Sequence, residues 1–421
     1  MQVPKVAFIN LGCRVNRVET DVIASELERA GCKVVNQNEA DAIVINTCAV
    51  TGEAEAKTRK IVRRAANLAN VPFVVATGCV ANLHADELSS IADNVLVERN
   101  KARVCQRVLG EFGCIAGSVD DDGDLVQTPT PTGRMRPGIK VQDGCNNRCS
   151  FCIVWKARGP ARSVSCESVL ASVRSSIAHG AREVVLTGIN LGDFREIYHG
   201  SRVRLPDLLQ LILDETPVER VRLSSIEPPD VTDELLRVMA QSQGRIAPFL
   251  HICLQSGCEA TLKRMRRNYT ASSYAAAVEN ARAYMPSIAL GTDLIVGFPG
   301  ETDDEFQTSY DFCERIGFAK MHVFRYSKRE GTPAASAPNQ VDPHVMASRS
   351  KLMRELASRM RYEQAKKLIG QTDRVLVQGV GYGVTSGLFD VHLDKQTCLD
   401  TLVDVRILSV MKDASLLVER L

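Results

Sequence analysis

Between Lys5 and about Val97, short apolar runs alternate with longer stretches whose apolar residues recur every three to four positions. VAFINLG, KVVN, AIVINT, FVVATG and NVLVE read as five buried strands. ETDVIASELERAG and AEAKTRKIVRRAANLAN have the spacing of amphipathic helices. This alternation predicts a parallel, doubly wound sheet. It stops at DDDGD (Asp120–Asp124) and TPTPTGRMRP (Thr128–Pro137), where charge, Pro, Gly and Thr predict an exposed linker. It resumes with six strand candidates: GIKVQD, EVVLTGIN, RVRLSSIE, FLHICLQS, ALGTDLIVGF and KMHVFRYS. Helical stretches such as LPDLLQLILDE and TDDEFQTSYDFCERIG separate them. Six βα units fall short of a closed eight-fold barrel, so a partial barrel is expected, with reactive groups at the carboxyl ends of its strands. After a basic amphipathic helix, RVLVQGV, LFDVHL, LVDVRILSV and ASLLVERL follow without intervening helices and predict a small β module.

The expected architecture is α/β. A doubly wound parallel-sheet domain spans residues 1–115, a linker 116–137, a partial (βα)6 barrel 138–345, a connecting basic helix 346–369 and a small β-barrel 370–421. A chain of 421 residues is too long for one core, which agrees with this division. The opening MQVPKVAFINLGC lacks the charged lead and cleavage site of a signal peptide, and no apolar stretch approaches the ~20 residues of a membrane span. A cytoplasmic protein is expected. In that reducing compartment fourteen cysteines point to metal or redox chemistry rather than disulfides. A net charge of +2 confines any nucleic-acid contact to local patches.

Three of those cysteines, Cys145, Cys149 and Cys152, fall within VQDGCNNRCSFCIVW at Cys-x3-Cys-x2-Cys spacing, directly after the first barrel strand. Three thiolates on one loop can hold three irons of a four-iron cluster and leave the fourth open to a small molecule. A degenerate zinc knuckle is the alternative, disfavoured by the strand placement. The N-terminal region repeats the arrangement: INLGC, INTC and ATGC end at Cys13, Cys48 and Cys79. In the sheet order 2-1-3-4-5 strands one, three and four are neighbours about 4.8 Å apart, so these cysteines can converge on a second cluster. Singly, each would be a small buried hydrophobe. Cys32, Cys105, Cys114, Cys166, Cys313 and Cys398 read as packing residues, and the seven histidines show no metal spacing.

The Cys-x3-Cys-x2-Cys loop on a partial barrel resembles the radical S-adenosylmethionine (SAM) superfamily. With LGCRVNRVETD, NTCAVTGEAEAKTRK, LQSG, LKRMRRNYT and GTDLIVGFPGET, nearly the whole chain resembles the methylthiotransferases, which join a cluster domain, a radical SAM barrel and an RNA-binding TRAM barrel. RLSSIEP and YSKREGTPAA are similar to the branch acting on threonylcarbamoyladenosine in tRNA. The resemblance implies that hydrogen at carbon 2 of this nucleoside, at position 37 of tRNA, is replaced by a methylthio group. It implies two 4Fe-4S clusters, with SAM as both methyl donor and radical source. Cys145, Cys149 and Cys152 would hold one cluster and Cys13, Cys48 and Cys79 the other. Gly188, Asn190, Glu227, Gln255 and Asp293 would line the SAM pocket, and Arg158 and Arg162 would meet the SAM carboxylate or an RNA phosphate. The implied partners are tRNA, a reducing electron donor and a sulfur source, with no membrane, and the protein is expected to be a monomer. Methylthiolation of isopentenyladenosine and a non-catalytic metal-cluster RNA-binding protein are the alternative functions.

Several positions depart from the family pattern. Val154-Trp155-Lys156 stands where Ile-Pro-Tyr is usual, Cys253 and Cys258 flank Gln255 in place of Pro and Ser, and Arg325 replaces a Pro. Arg325 is the expected cation for the substrate carboxylate. Residues 361–421 carry eight Lys/Arg against eight Asp/Glu, so phosphate contacts are expected instead from Lys263, Arg264, Arg266 and Arg267 and from the helix near Arg349–Lys367.

Overall fold

The computed structural model describes residues 3–49, 52–114, 136–399 and 401–421. The expected linker lies outside the described residues except for Arg136 and Pro137. The N-terminal sheet contains β1 (Lys5–Asn10), β2 (Lys33–Val34), β3 (Ala42–Thr47), β4 (Phe73–Gly78) and β5 (Val95–Val97), all parallel in the order β2-β1-β3-β4-β5. Every residue of β3, AIVINT, is buried, as a central parallel strand covered on both faces requires. The register sets Asn10 beside Asn46 and Asn46 beside Thr77. The chain therefore leaves β1, β3 and β4 along one edge, where Cys13, Cys48 and Cys79 follow.

The second domain contains β6 (Gly138–Lys140), β7 (Glu183–Thr187), β8 (Arg220–Leu223), β9 (Ser225–Ile226), β10 (Phe249–Ile252), β11 (Ala289–Val296) and β12 (Lys320–Arg325). They form two parallel sheets, β6-β7-β8 and β9-β10-β11-β12, with β8 running through Ser224 into β9. The six expected strand paths are all present, and no pairing closes β6 onto β12 among the described residues. The helix Arg14–Arg29 packs on β6, where Val18 sits so close to Gly138 that a Cβ there would come within 2.5 Å. An antiparallel pair, Arg195–Tyr198 with Ser201–Arg204, was not expected; of its residues only Val203 is buried, so it carries no apolar alternation to betray it.

The C-terminal module contains β13 (Thr372–Gly379), β14 (Tyr382–Val384), β15 (Asp390–His392), β16 (Leu402–Val410) and β17 (Leu416–Arg420), closed in the order β13-β14-β15-β17-β16. Closure leaves no free sheet edge. One pair, β15 with β17, is parallel rather than antiparallel. Arg220 and Arg222 anchor the module by donating to Arg374 O and Ser386 O, each at 2.7 Å. The same two arginines flank the fully buried Glu183. Burial pushes the Glu183 carboxyl up, but Arg222 and Arg220 outweigh it and bring it down to about 2. The connecting helix, Pro343–Lys366, is capped by Asp342 and buries Met353, Leu356 and Met360. Among the described residues no helix is long and apolar enough to cross a membrane.

Candidate functional site

Two glycines shape the first cysteine triad. Gly12 and Gly78 have φ of +99° and +97°, a conformation L side chains rarely adopt. A Cβ on Gly12 would overlap Cys48 Sγ, and one on Gly78 would lie 2.5 Å from Thr47 O. Cys13 is the N-cap residue of the helix Arg14–Arg29, and Cys79 opens the short helix Cys79–Leu83. The buried Asn16 donates to Leu11 O at 2.9 Å and Thr47 O at 2.8 Å, tying the Cys13 turn to the Cys48 turn. Thr47 Oγ1 accepts from the Val80 and Ala81 backbone amides, both at 3.1 Å, which brings in the Cys79 turn. Gly12→Ala is therefore expected to misplace Cys48: the strained φ costs about 1–3 kcal/mol before the overlap is counted. About half of the protein's iron should be lost while the far-ultraviolet circular dichroism stays near wild type.

The second triad sits between Asp143 and the helix Val154–Arg158, in a loop that Gly144 (φ +68°) turns against Pro160 O. Arg267 Nη1 donates to Cys149 Sγ at 2.8 Å, and the Val154 amide donates to Cys152 Sγ at 3.4 Å. Arg267 also pairs with Glu227, whose second oxygen accepts from Asn147 at 3.1 Å. Burial pushes the Cys145 thiol up to about 11 and Cys152 up to about 12, so binding a metal here displaces protons. The donor set suits a cluster better than one ion. Among the described residues, neither triad has all its sulfurs within 4.8 Å of one another. A single zinc at about 2.3 Å from each sulfur would hold them closer than that. Donors aimed at the sulfurs are the contacts that stabilise and tune bound thiolates.

The elements that follow the two triads pack on each other across the domain boundary. The helix starting at Cys79 packs on Val154–Arg158, and Asn82 donates to Ala157 O at 2.7 Å. A cavity of about 480 Å³ is lined by Cys13, Cys48 and Cys79 on one side and by Gly188, Cys253 and Asp293 on the other. The YSKREGTPAA segment holds the Cys48 loop against the barrel. Ser327 Oγ accepts from the Gly52 amide at 2.9 Å, and the buried Arg329 donates to Ala49 O and pairs with Glu55 at 2.5 Å.

Of the five expected SAM-pocket residues, Gly188 and Asp293 line the cavity. Gln142 Oε1 accepts from the Ile189 and Asn190 amides, both at 2.9 Å, and so fixes the turn that follows β7. Asn190 is buried, donates to Asp193 at 2.9 Å, and has a side-chain oxygen without a partner. Glu227 lies at the cysteine loop. Gln255, at φ +64°, bonds through its backbone to Asp293 O and Ile295 N, both at 2.9 Å.

Several sequence expectations are corrected. Arg158 lines the cavity with its side chain engaged by Glu19 and Asp143, each at 2.9 Å, while the partly exposed Arg162 pairs with Asp143 at 2.8 Å. Arg325 is exposed, pairs with Glu53 at 3.1 Å and lies outside the cavity. In KRMRR, the half-buried Arg264 binds Glu305 and Arg267 turns inward to Cys149, while Lys263 and Arg266 are exposed. Arg349 is buried on Glu301 and Asp303. Lys156, at the usual tyrosine position, donates to Gly331 O at 2.9 Å, and Arg148 stacks on Trp155 at 4.4 Å. The histidines also do more than expected. His251, Asp293 and His322 bring their donor atoms within 4.8 Å of one another on the cavity wall. They come from three neighbouring strands, so no local spacing announces them.

Residues 139–313 match the radical SAM superfamily, and residues 5–97 match a family described as "Uncharacterized protein family UPF0004". The chain is 36% identical over 412 residues to "Threonylcarbamoyladenosine tRNA methylthiotransferase MtaB" of Chlamydia pneumoniae, covering 95% of this chain and 94% of that one. It is 32% identical over 381 residues to "tRNA-2-methylthio-N(6)-dimethylallyladenosine synthase" of Magnetococcus marinus, covering 88% and 87%. A solved structure of the radical S-adenosylmethionine methyltransferase TsrM from Kitasatospora setae shares the fold at a TM-score of 0.56 and 16% identity, over 79% of this chain and 74% of that one.

Proposed function

The chain belongs to the radical SAM methylthiotransferases, and from that premise we propose that it replaces the hydrogen at carbon 2 of N6-threonylcarbamoyladenosine, at position 37 of tRNA, with a methylthio group. The observation that carries this reading is one cavity lined both by Cys13, Cys48 and Cys79 and by residues beyond the barrel's strand ends. The substrate assignment draws on the 36% identity to a protein named for it. SAM and two 4Fe-4S clusters, when bound, supply the radical that breaks an aromatic C–H bond with no acid–base handle, and the sulfur that replaces the hydrogen.

The chain's own residues hold and shape that chemistry. Cys145, Cys149 and Cys152 would bind the SAM cluster, and Arg267, donating to the Cys149 sulfur, would raise its reduction potential by withdrawing charge. Cys13, Cys48 and Cys79 would bind the second cluster. Gly188 and the Gln142-pinned turn after it, with Asn190, Glu227, Gln255 and Asp293, would surround SAM. In this reading residues 1–115 deliver sulfur, 138–345 generate the radical and 370–421 contribute shape to tRNA binding. A reducing electron donor and a sulfur source are the remaining partners, in the cytoplasm.

Mass spectrometry of tRNA nucleosides from cells with and without the gene tests the reading. Deletion should remove the methylthio form of threonylcarbamoyladenosine and leave the unthiolated nucleoside in its place. Loss of the methylthio form of isopentenyladenosine instead would reassign the substrate. Anaerobically reconstituted protein should hold about eight irons and eight labile sulfides per chain.

A further inference from the structure

The cavity extends from the strand ends down the barrel interior to residues that begin strands. Phe249 opens β10 and Lys320 opens β12, and both line the cavity with Arg14 and Leu388. The Lys320 and Arg14 side chains have no hydrogen-bond or ion-pair partner among the described residues. The acids within reach are engaged: Glu183 by Arg220 and Arg222, and Asp390 by Arg361 and Tyr382. Asp293 lies 3.1 Å from His251 Nε2. Burial pushes the Lys320 ammonium down, and Arg361, Arg14 and Arg136 push it further. Cations crowded together in a partly enclosed space, with Glu183 and Asp390 nearby but paired to other groups, are costly unless an anion joins them.

We propose that Lys320 and Arg14 form an anion subsite that binds the carboxylate on the N6 substituent of the substrate adenine. This rests on the substrate reading above. Carbon 2 and carbon 6 flank N1 of the base, and the bonds they carry to hydrogen and to N6 diverge. With carbon 2 turned to the strand ends that carry Gly188 and Cys253, the N6 substituent points away from them, down the cavity toward Lys320. Phe249 and Leu388 offer apolar surface beside it. An RNA phosphate is the other anion such a pair could bind, and the test separates the two.

The cluster-loaded enzyme is titrated with two tRNAs that differ only in carrying threonylcarbamoyladenosine or plain adenosine at the target position. Wild type should bind the first about tenfold or more tightly, the gain of a charge-assisted contact. Lys320→Met should erase that preference and leave the affinity for plain tRNA unchanged. Lys320→Arg, which keeps the charge, should retain most of the preference. Equal weakening of both tRNAs by Lys320→Met would mean a phosphate contact and overturn the proposal, as would a preference that survives the substitution. A wild-type enzyme without preference would remove the substrate assignment itself.

Discussion

Alanine at Cys145, Cys149 and Cys152 together is expected to abolish reductive cleavage of SAM while about half of the iron stays bound. The converse triple substitution, at Cys13, Cys48 and Cys79, should keep 5′-deoxyadenosine formation measurable and stop methylthio transfer. The two effects separate because each triad's cysteine turns are held by contacts of their own, although Asn16 also accepts from Arg158 beyond the second loop. The N-terminal turns are tied by Asn16 and Thr47, and neither residue bonds to the loop 145–152. That loop in turn depends on Gly144, Asn147 and Arg267. Iron analysis and chromatography of the SAM products decide the matter. Full iron and continued product from the N-terminal triple variant would sink the two-cluster reading.

A comparable effect, on stability, is expected at Glu19. This carboxylate is 2% exposed and binds Arg158 at 2.9 Å, Lys140 at 3.3 Å and Lys101. It joins the N-terminal domain to the cysteine loop. Glu19→Ala leaves Lys140 and Arg158 buried with Asp143 as an acid partner and takes from Lys101 its ion-pair partner, and breaking such a buried network costs about 3–5 kcal/mol. That is a large part of the 5–15 kcal/mol that typically holds a protein together. The pH dependence has a defined direction. Burial pushes the Glu19 carboxyl up, but Arg158, Lys101 and Lys140 outweigh it and hold it well below the ordinary range. Its stabilisation is then fully present above the unfolded value of about 4.3 and lost as pH falls below that toward the folded value. Denaturant unfolding at pH 7 should show the full deficit, and the gap between variant and wild type should narrow steadily as pH falls below the unfolded value. A Glu19→Ala protein within 1 kcal/mol of wild type at pH 7, about a fivefold change in equilibrium constant, would refute the assignment.

The cysteine triads were legible because each N-terminal cysteine closes an apolar run and the doubly wound order makes those three runs neighbours. The charged residues were not. Arg158 beside a cluster loop reads alike whether it faces a ligand or a buried acid. Its partner Glu19 lies 139 positions away, beyond any local pattern. Arg325 and Arg267 show the same ambiguity with opposite outcomes: one lies on the surface with Glu53, the other inside against a cysteine sulfur. Lys320 and His322 did leave a trace. In KMHVFR they stand two apart, on one face of a strand, and both reach the cavity. A charge on the inward face of a barrel strand is a signal that reading by hydrophobic pattern alone passes over.

The Ser327–Gly52 contact joins residues 275 positions apart, and Arg329 reaches back to Ala49 and Glu55 across similar spans. On a ribosome adding about 5–20 residues per second, that gap is roughly 14–55 s of synthesis. Throughout it the Cys48 loop is outside the tunnel without the segment that fastens it. The N-terminal sheet, whose strands are close in sequence, can fold early with its cysteine turns tied by Asn16 and Thr47, but the further hold on Ala49 and Gly52 waits until the segment after the last barrel strand has emerged.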